Sequence, residues 1–173
     1  MTDCSRPNWP GLMPNTGTIS GGTQPGVCVF CDLAAGDPAG DRERLVLCRG
    51  RFNLIVLNCF PYTSGHAMIA PYEHTATLAG LGADALGEMI RLARDLEAAL
   101  GAAYRPEGYN IGMNLGRAAG AGIADHLHLH VLPRWAGDSN FMTTVGETRV
   151  LPEALDTSYD KLAGFFRPNT PAP

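Results

Sequence analysis

The sequence contains no apolar run that approaches the roughly 20 residues of a membrane-spanning helix. Its N-terminus also lacks the charged and then apolar segments of a secretory signal. Basic residues are not in excess, because 13 lysines and arginines stand against 17 aspartates and glutamates, for a net charge of -4. These absences predict a cytoplasmic protein without a membrane segment or a broadly basic nucleic-acid surface. A local pocket for a small anion is compatible with them.

Cysteine is scarce, and the five cysteines are an odd number. Two of them, Cys28 and Cys31, lie close together. In a cytoplasmic protein such a pair more often binds a metal or does redox chemistry than forms a structural disulfide. Internal repeats are absent as well. A length of 173 residues with 45% hydrophobic residues predicts one domain with a substantial core.

Hydrophobic periodicity predicts an α+β domain over residues 27–166, between a flexible arm at 1–26 and a flexible tail at 167–173. Apolar residues recur at helical spacing over 83–100, where Gly101 is expected to end the helix, and a short helix is predicted over 152–166. Residues 28–40 are predicted as a knuckle and loop. The sheet is expected to be mostly antiparallel, with a hairpin at Gly50 and strands at 45–48, 53–57, 67–70, 109–115 and 126–132.

The five histidines all fall in two short segments, which predicts a single site. His126, His128 and His130 alternate with aliphatic residues, and a period of two is the period of a β-strand. On a strand the three imidazoles share one face, roughly 6–7 Å apart, while the aliphatic side chains point into the core. The other two, His66 and His74, flank a second apolar run.

This histidine triplet has three interpretations that the pattern alone leaves open. It could be a polar strand face without chemistry. It could be part of a metal cage completed by His66, His74 or Asp125. It could also supply a nucleophilic histidine whose neighbours set its tautomer and its proton supply.

A glycine-rich loop, residues 116–122, comes shortly before the histidines and contains one cation, Arg117. Small residues let backbone N–H groups approach an anion closely. The loop lacks the Gly-Lys-Ser/Thr ending of a Walker loop, and it leads into a predicted strand, unlike a dinucleotide fingerprint. Alone it would be a flexible connection, but beside three histidines it suggests an oxyanion or phosphate next to a nucleophile.

Taken together, these motifs resemble the histidine triad family of nucleotide hydrolases and transferases. Residues 126–132 fit its His-φ-His-φ-His-φ-φ signature, and the resemblance runs from about residue 28 to residue 140. Residues 125–141 are most similar to bacterial members of the diadenosine tetraphosphate phosphorylase type. Supporting matches are Gly65-His66, Pro71-Tyr72-Glu73-His74, Gly112-Met113-Asn114-Leu115-Gly116 and Pro133-Arg134.

The resemblance implies a homodimer of histidine triad folds that transfers a nucleotidyl group. His128 would attack the α-phosphorus of a dinucleoside polyphosphate and form a covalent nucleotidyl-histidine, with a backbone carbonyl orienting its other ring nitrogen. His130 would contact the phosphate or assist proton transfer, and His66 would complete the catalytic group. Inorganic phosphate is the expected second acceptor, as in a phosphorylase, and water is the alternative.

The resemblance also implies the nucleotide-binding residues. Leu54 and Val56 would hold the base and Asn58 the ribose, while the phosphate would contact four further positions together with His128: Asn114, Gly120, Gly122 and His130. Many hydrolysing relatives carry Gln or Ser at the position of Gly122. The missing side chain leaves space beside the α-phosphate, which favours phosphate over water as the acceptor.

Finally, the resemblance implies a structural zinc site. Some bacterial members complete a Cys-x-x-Cys pair with two histidines, and the matching residues here are Cys28, Cys31, His74 and His126. The alternative is a pair of reduced thiols packed on the sheet. No catalytic metal is required by the implied mechanism.

Three other functions remain compatible with the sequence. One is cleavage of nucleoside phosphoramidates or adenylates on the same fold. Another is a non-catalytic sensor that binds dinucleoside polyphosphates, although a binding protein has no need of a nucleophile. The last is a metal-dependent oxygenase or hydrolase, whose activity would vanish with a chelator.

Overall fold

The computed structural model describes residues 28–138 and 153–166, so the predicted arm at 1–26 and the predicted tail at 167–173 lie outside the described residues. The helices in the described part are α1 (Val29–Ala35), α2 (Ala83–Tyr104) and α3 (Leu155–Phe166). The strands are β1 (Val46–Arg49), β2 (Asn53–Leu57), β3 (Ala67–Pro71), β4 (Gly108–Gly112) and β5 (Leu129–Arg134). None of these helices is long and apolar enough to cross a membrane.

The five strands form one sheet in the order β1-β2-β3-β5-β4, and every neighbouring pair in it is antiparallel. The predicted α+β class and five-stranded sheet are therefore confirmed. The predicted hairpin is present as well, with the Gly50 N–H donating to the Asn53 carbonyl at 2.8 Å. Strand β3 pairs with β5 so that Met68 faces His130 across the ladder. This pairing brings the residues just before β3, including His66, next to the histidine segment.

Both faces of the sheet carry apolar clusters. On β2, Ile55 and Leu57 belong to a cluster with residues of α2 and α3, whereas Leu54 and Val56 belong to a cluster with residues of α1. A strand that is buried on both faces has apolar residues at every position instead of at alternate ones. Because α1 is only seven residues long, it covers part of the second face, and the histidines occupy the neighbouring part.

Several predicted boundaries are wrong. The strand predicted over 109–115 ends at Gly112, as β4, so Asn114 lies outside the sheet. Residues 28–40 contain helix α1 and a short 3-10 turn at Pro38–Gly40, where a knuckle and loop were expected. Seven residues are too few to show helical periodicity in a sequence. Helix α2 continues past Gly101 to Tyr104 and ends at Arg105, whose φ of 48° is left-handed. A Cβ at residue 101 would lie 2.9 Å from the Tyr109 hydroxyl, so the helix packs closely against Tyr109 at this glycine.

The predicted histidine strand is also shorter than expected at its start. Strand β5 begins at Leu129, so His126 and His128 lie in the segment that precedes it, and only His130 is in the sheet. The alternation nevertheless continues through this segment, since Leu127, Leu129 and Val131 are all buried in the same apolar cluster. The Leu127 N–H donates to the Thr75 carbonyl at 2.6 Å. That bond lies outside the ladder and holds the segment beside the residues that follow β3.

Candidate functional site

The structure brings all five histidines together in one chain of ring contacts. His66 lies 5.1 Å from His130 between ring centroids, and His130 lies 4.8 Å from His128. His74 lies 5.1 Å from His126 at the other end of the chain. The Phe30 ring connects the two groups, at 5.1 Å from His126 and 5.0 Å from His128.

His128 is buried and its tautomer follows from its hydrogen bond. Its Nδ1 lies 2.9 Å from the carbonyl oxygen of His126. A carbonyl oxygen only accepts, so Nδ1 carries the proton and Nε2 presents a lone pair. Burial lowers the pKa of His128 below its usual value, which keeps the ring neutral near neutral pH. The arrangement offers an unprotonated imidazole nitrogen for nucleophilic attack.

His130 and His66 form the second hydrogen-bonded pair. The Nε2 atom of His66 lies 2.9 Å from Nδ1 of His130, and the His66 side chain is completely buried. Burial, together with the neighbouring His128, lowers the pKa of His130 to about 4. His130 is therefore neutral near neutral pH and can donate from only one ring nitrogen.

The lowered pKa of His130 predicts a pH-dependent stability. The group titrates near 6.5 when it is unperturbed and near 4 in the folded protein, so the unfolded chain binds more protons between these values. The free energy of unfolding should therefore fall as the pH drops from about 6.5 to about 4, by about 3 kcal/mol from this group. Urea unfolding across that range should show a smaller pH dependence in a His130→Asn variant than in the unmodified protein. Equal pH dependences in the two proteins would contradict the prediction.

Four side chains at the other end of the chain form a candidate metal site. The Cys28 Sγ lies 3.1 Å from His126 Nδ1, and the Cys31 Sγ lies 3.2 Å from His74 Nδ1. The nitrogen atoms of the two histidines are 3.2 Å apart, and all four ligand atoms lie within 4.8 Å of one another. Two thiols and two imidazoles at these separations suit a tetrahedral ion.

The hydrogen bond on the far side of His126 supports this assignment. Its Nε2 lies 2.9 Å from the carbonyl oxygen of Pro71, so Nε2 carries the proton and Nδ1 turns a lone pair toward the thiols. Metal-bound histidines usually donate their second N–H to an oxygen in this way. Cys28, Cys31, His74 and His126 could therefore hold a metal ion.

The predicted phosphate-binding residues lie on the exposed loop that precedes the histidines. Asn114, Gly120 and Gly122 are all exposed, and Gly116 and Gly120 have φ values of 81° and 82° that favour glycine. The N–H groups of residues 119, 120 and 121 donate to carbonyls of the loop itself. These three donors are thus used internally in the structure, and the phosphate contacts of the loop stay predictions.

The two predicted base-binding residues are placed differently. Leu54 and Val56 are 0% and 1% exposed, and they pack with Phe30 and Leu33 of α1. They offer no open surface to a base in this conformation, so their predicted contact would require α1 to shift. Asn58 lies at the end of β2, where its amide bonds to the Phe60 N–H and to His66.

Sequence reasoning missed two aromatic residues at the site. Phe30 lies between the two cysteines and contacts two of the histidines. Tyr62 lies in the turn before His66, and its ring centroid is 4.9 Å from the His66 ring. A signal was available in both cases, because each is a large aromatic residue within two to four positions of a candidate ligand or catalytic residue.

Comparison with known proteins identifies similar chains. The family model of the HIT domain matches residues 43–137, more than half of the chain. A Mycobacterium tuberculosis protein named AP-4-A phosphorylase is 41% identical over 115 residues, covering 66% of this chain and 59% of that protein. The chain thus spans less than two thirds of the length of this relative. Adenosine 5'-monophosphoramidase hnt1 of Schizosaccharomyces pombe is 32% identical over 107 residues, covering 62% of this chain and 74% of its own.

Solved structures agree with the fold. A zinc-bound histidine triad family protein from Mycobacterium smegmatis superposes with a TM-score of 0.62 at 27% identity, covering 80% of this chain and 91% of that chain. A HIT-like protein from Bartonella henselae has a TM-score of 0.59 at 17% identity, covering 71% of this chain and 87% of that chain. The second likeness concerns the fold alone.

Proposed function

This chain belongs to the HIT domain family, and on that premise we propose that it cleaves dinucleoside polyphosphates by nucleotidyl transfer through His128. The observation that carries the proposal is the buried hydrogen bond from His128 Nδ1 to the His126 carbonyl, which leaves Nε2 as an unprotonated nucleophile. The 41% identity to a protein named AP-4-A phosphorylase supports this substrate class.

The proposed reaction has two displacements at one phosphorus atom. In the first, His128 Nε2 forms a bond to the α-phosphorus, and the bond to the departing nucleoside polyphosphate breaks with its electron pair on the leaving oxygen. In the second, an oxygen of inorganic phosphate bonds to the same phosphorus and the P–N bond breaks, which returns neutral His128 and releases a nucleoside diphosphate. His130 and Asn114 would hold non-bridging oxygens, and Asn58 the ribose.

The choice of acceptor depends on the exposed position 122. Gly122 has no side chain to fill the space beside the phosphate, which supports inorganic phosphate as the acceptor. The 32% identity to a fungal phosphoramidase supports a second candidate, hydrolysis of nucleoside phosphoramidates by water on the same nucleophile. The two functions share the first displacement and differ in the leaving group and in the acceptor.

The product pattern tests the proposal. We expect diadenosine tetraphosphate to give ADP plus ATP only when inorganic phosphate is added, as separated by ion-exchange chromatography. AMP plus ATP would instead show hydrolysis and contradict the phosphorylase assignment. Turnover of adenosine 5'-phosphoramidate without turnover of the dinucleotide would favour the second candidate.

A side chain at position 122 should shift that product pattern. We expect Gly122→Gln to lower the ratio of the product ADP to the product AMP about 10-fold, because the amide would occupy the space for the phosphate acceptor. Glutamine is also a residue that many hydrolysing relatives carry at this position. Ala118→Gln, on the same exposed loop, is the control for a general effect of a longer side chain. An unchanged ratio in Gly122→Gln would remove the proposed role of this glycine.

We also propose that the cluster of Cys28, Cys31, His74 and His126 binds a structural zinc ion. A relative at 27% identity is zinc-bound, and the tautomer set by the Pro71 carbonyl suits a metal ligand. When bound, the ion would connect the start of α1 to the segment before β5. The role of these residues is then to hold α1 and Phe30 against His128.

A homodimer is the proposed assembly. Strand β4 is at an edge of the sheet, and it exposes Ile111, which is followed by exposed Leu115. An edge strand with exposed apolar side chains favours pairing with another chain. The mass of the protein in solution, measured by light scattering, tests this proposal, and a monomer at micromolar concentration would contradict it.

A further inference from the structure

The turn between β2 and β3 contains a set of hydrogen bonds with a defined direction. The Phe60 N–H donates to Asn58 Oδ1 at 2.9 Å. Because a backbone N–H can only donate, this bond fixes the orientation of the Asn58 amide, with its oxygen toward Phe60. The amide nitrogen Nδ2 then faces Nδ1 of His66 at 3.3 Å, as a donor.

A second donor reaches the same nitrogen of His66. The Tyr62 N–H donates to His66 Nδ1 at 3.1 Å. Nδ1 is therefore an acceptor, and in the neutral ring the proton of His66 is on Nε2. Two donors from the turn, one backbone and one side chain, thus set the tautomer of this buried histidine.

The tautomer of His66 determines that of His130. The Nε2–H of His66 faces His130 Nδ1 at 2.9 Å, so this nitrogen must accept. The proton of neutral His130 is then on its Nε2. The tautomer of His130 is therefore opposite to that of His128, which keeps its proton on Nδ1 and presents the lone pair of Nε2.

We propose, building on the nucleotidyl transfer above, that His66 is a positioning residue, held by Asn58 and the Tyr62 backbone, that makes His130 a hydrogen-bond donor toward the transferred phosphoryl group. The two neighbouring triad histidines thereby have complementary roles. His128 supplies a lone pair to phosphorus, and His130 supplies an N–H to an oxygen on which negative charge increases. His66 acts only through His130 and does not touch the substrate.

The Tyr62 ring packs beside this arrangement. The Tyr62 ring centroid lies 4.9 Å from that of His66 and 6.5 Å from that of His130. The planes of the Tyr62 and His130 rings are inclined to each other by 24°. Tyr62 itself is exposed, whereas His66 is fully buried.

The tautomers can be measured directly in protein labelled with ¹⁵N-histidine, without substrate. Long-range ¹H–¹⁵N correlation spectra distinguish Nδ1–H from Nε2–H rings, and single His→Gln variants assign the signals. We expect Nε2–H for His66 and His130, and Nδ1–H for His128. An Nδ1–H signal for His130 would overturn the proposal, whether or not the protein proves to be a nucleotidyl transferase.

A double-mutant cycle tests the consequence for the reaction. His130→Ala is expected to lower kcat about 10²-fold to 10³-fold through the lost donor. His66→Leu should cause a smaller loss of kcat with a nearly unchanged KM, and the double variant should be no slower than His130→Ala alone. Losses that multiply in the double variant, or a loss confined to KM, would show that His66 acts on the substrate itself. If His66→Leu does not fold, the spectra of the unmodified protein still decide the tautomers.

Discussion

Replacement of His128 by alanine is expected to lower kcat for dinucleotide cleavage by at least about 10⁴-fold, because the covalent step loses its nucleophile. The dissociation constant of the substrate should change by only a few-fold, since the proposed contacts of Asn58 to the ribose and of Asn114 to the phosphate are retained. The measurement is single-turnover cleavage combined with isothermal titration of the same preparation. A fall in affinity that matches the fall in kcat would indicate a binding role and contradict the assignment.

A His128→Gln variant is the matched control for packing. Glutamine keeps a comparable volume and can donate from its amide to the His126 carbonyl, but it has no nucleophilic nitrogen. It should therefore be as inactive as the alanine variant. Mass spectrometry of the protein mixed rapidly with substrate should detect a nucleotidyl adduct on the unmodified chain and none on either variant. An adduct that persists in the variants would place the nucleophile elsewhere.

Removal of the proposed zinc ion is expected to lower the melting temperature by about 10 °C or more, because binding of a structural metal contributes directly to folding. Burial, together with the neighbouring Cys28, raises the pKa of Cys31 to about 11 in the metal-free state. The ion must displace this proton, so zinc should also be released more easily as the pH falls. Thermal melts with and without chelator, and with zinc restored, provide the measurement.

The metal content distinguishes this site from the other cysteines. We expect one zinc per chain in the unmodified protein and in Cys48→Ser, since Cys48 is half-buried on β1 and outside the cluster. Cys31→Ser and His74→Ala should lose the ion. Activity should fall only in part while the zinc-free chain stays folded, because no step of the proposed reaction uses the metal, although His126 is a proposed ligand and its carbonyl also orients His128. Unchanged melting after complete removal of zinc would refute a structural role.

Much of the fold could be predicted because its signals are local. The 3.6-residue period over 83–100 predicts a helix, and apolar runs bounded by glycine and proline predict strands. Alternation around His128 predicts that the leucines are buried and that the imidazoles lie on the other side. The structure agrees with each of these points. A run of seven helical residues at α1 carried no such period and was missed.

The end of α2 could not be predicted from local sequence. Gly101 is a good stop signal in isolation, but the helix continues through it to Tyr104, and a Cβ at residue 101 would lie 2.9 Å from the Tyr109 hydroxyl of β4. The start of β5 is a similar case. His126 and His128 fit a strand by periodicity, yet the Leu127 N–H bonds to Thr75 and the sheet ladder begins only at Leu129.

The sequence by itself determined the types of residue that meet at the site and the family to which the chain belongs. Histidines, cysteines and glycines at these spacings can be recognised without coordinates, because each pattern is short and its chemistry is specific. The tertiary structure alone decided the proton position of His130. Which nitrogen of His130 carries a proton depends on His66, whose own tautomer is set by the amide of Asn58 and the backbone N–H of Tyr62. Such partners are set by packing between segments, and no local pattern encodes them.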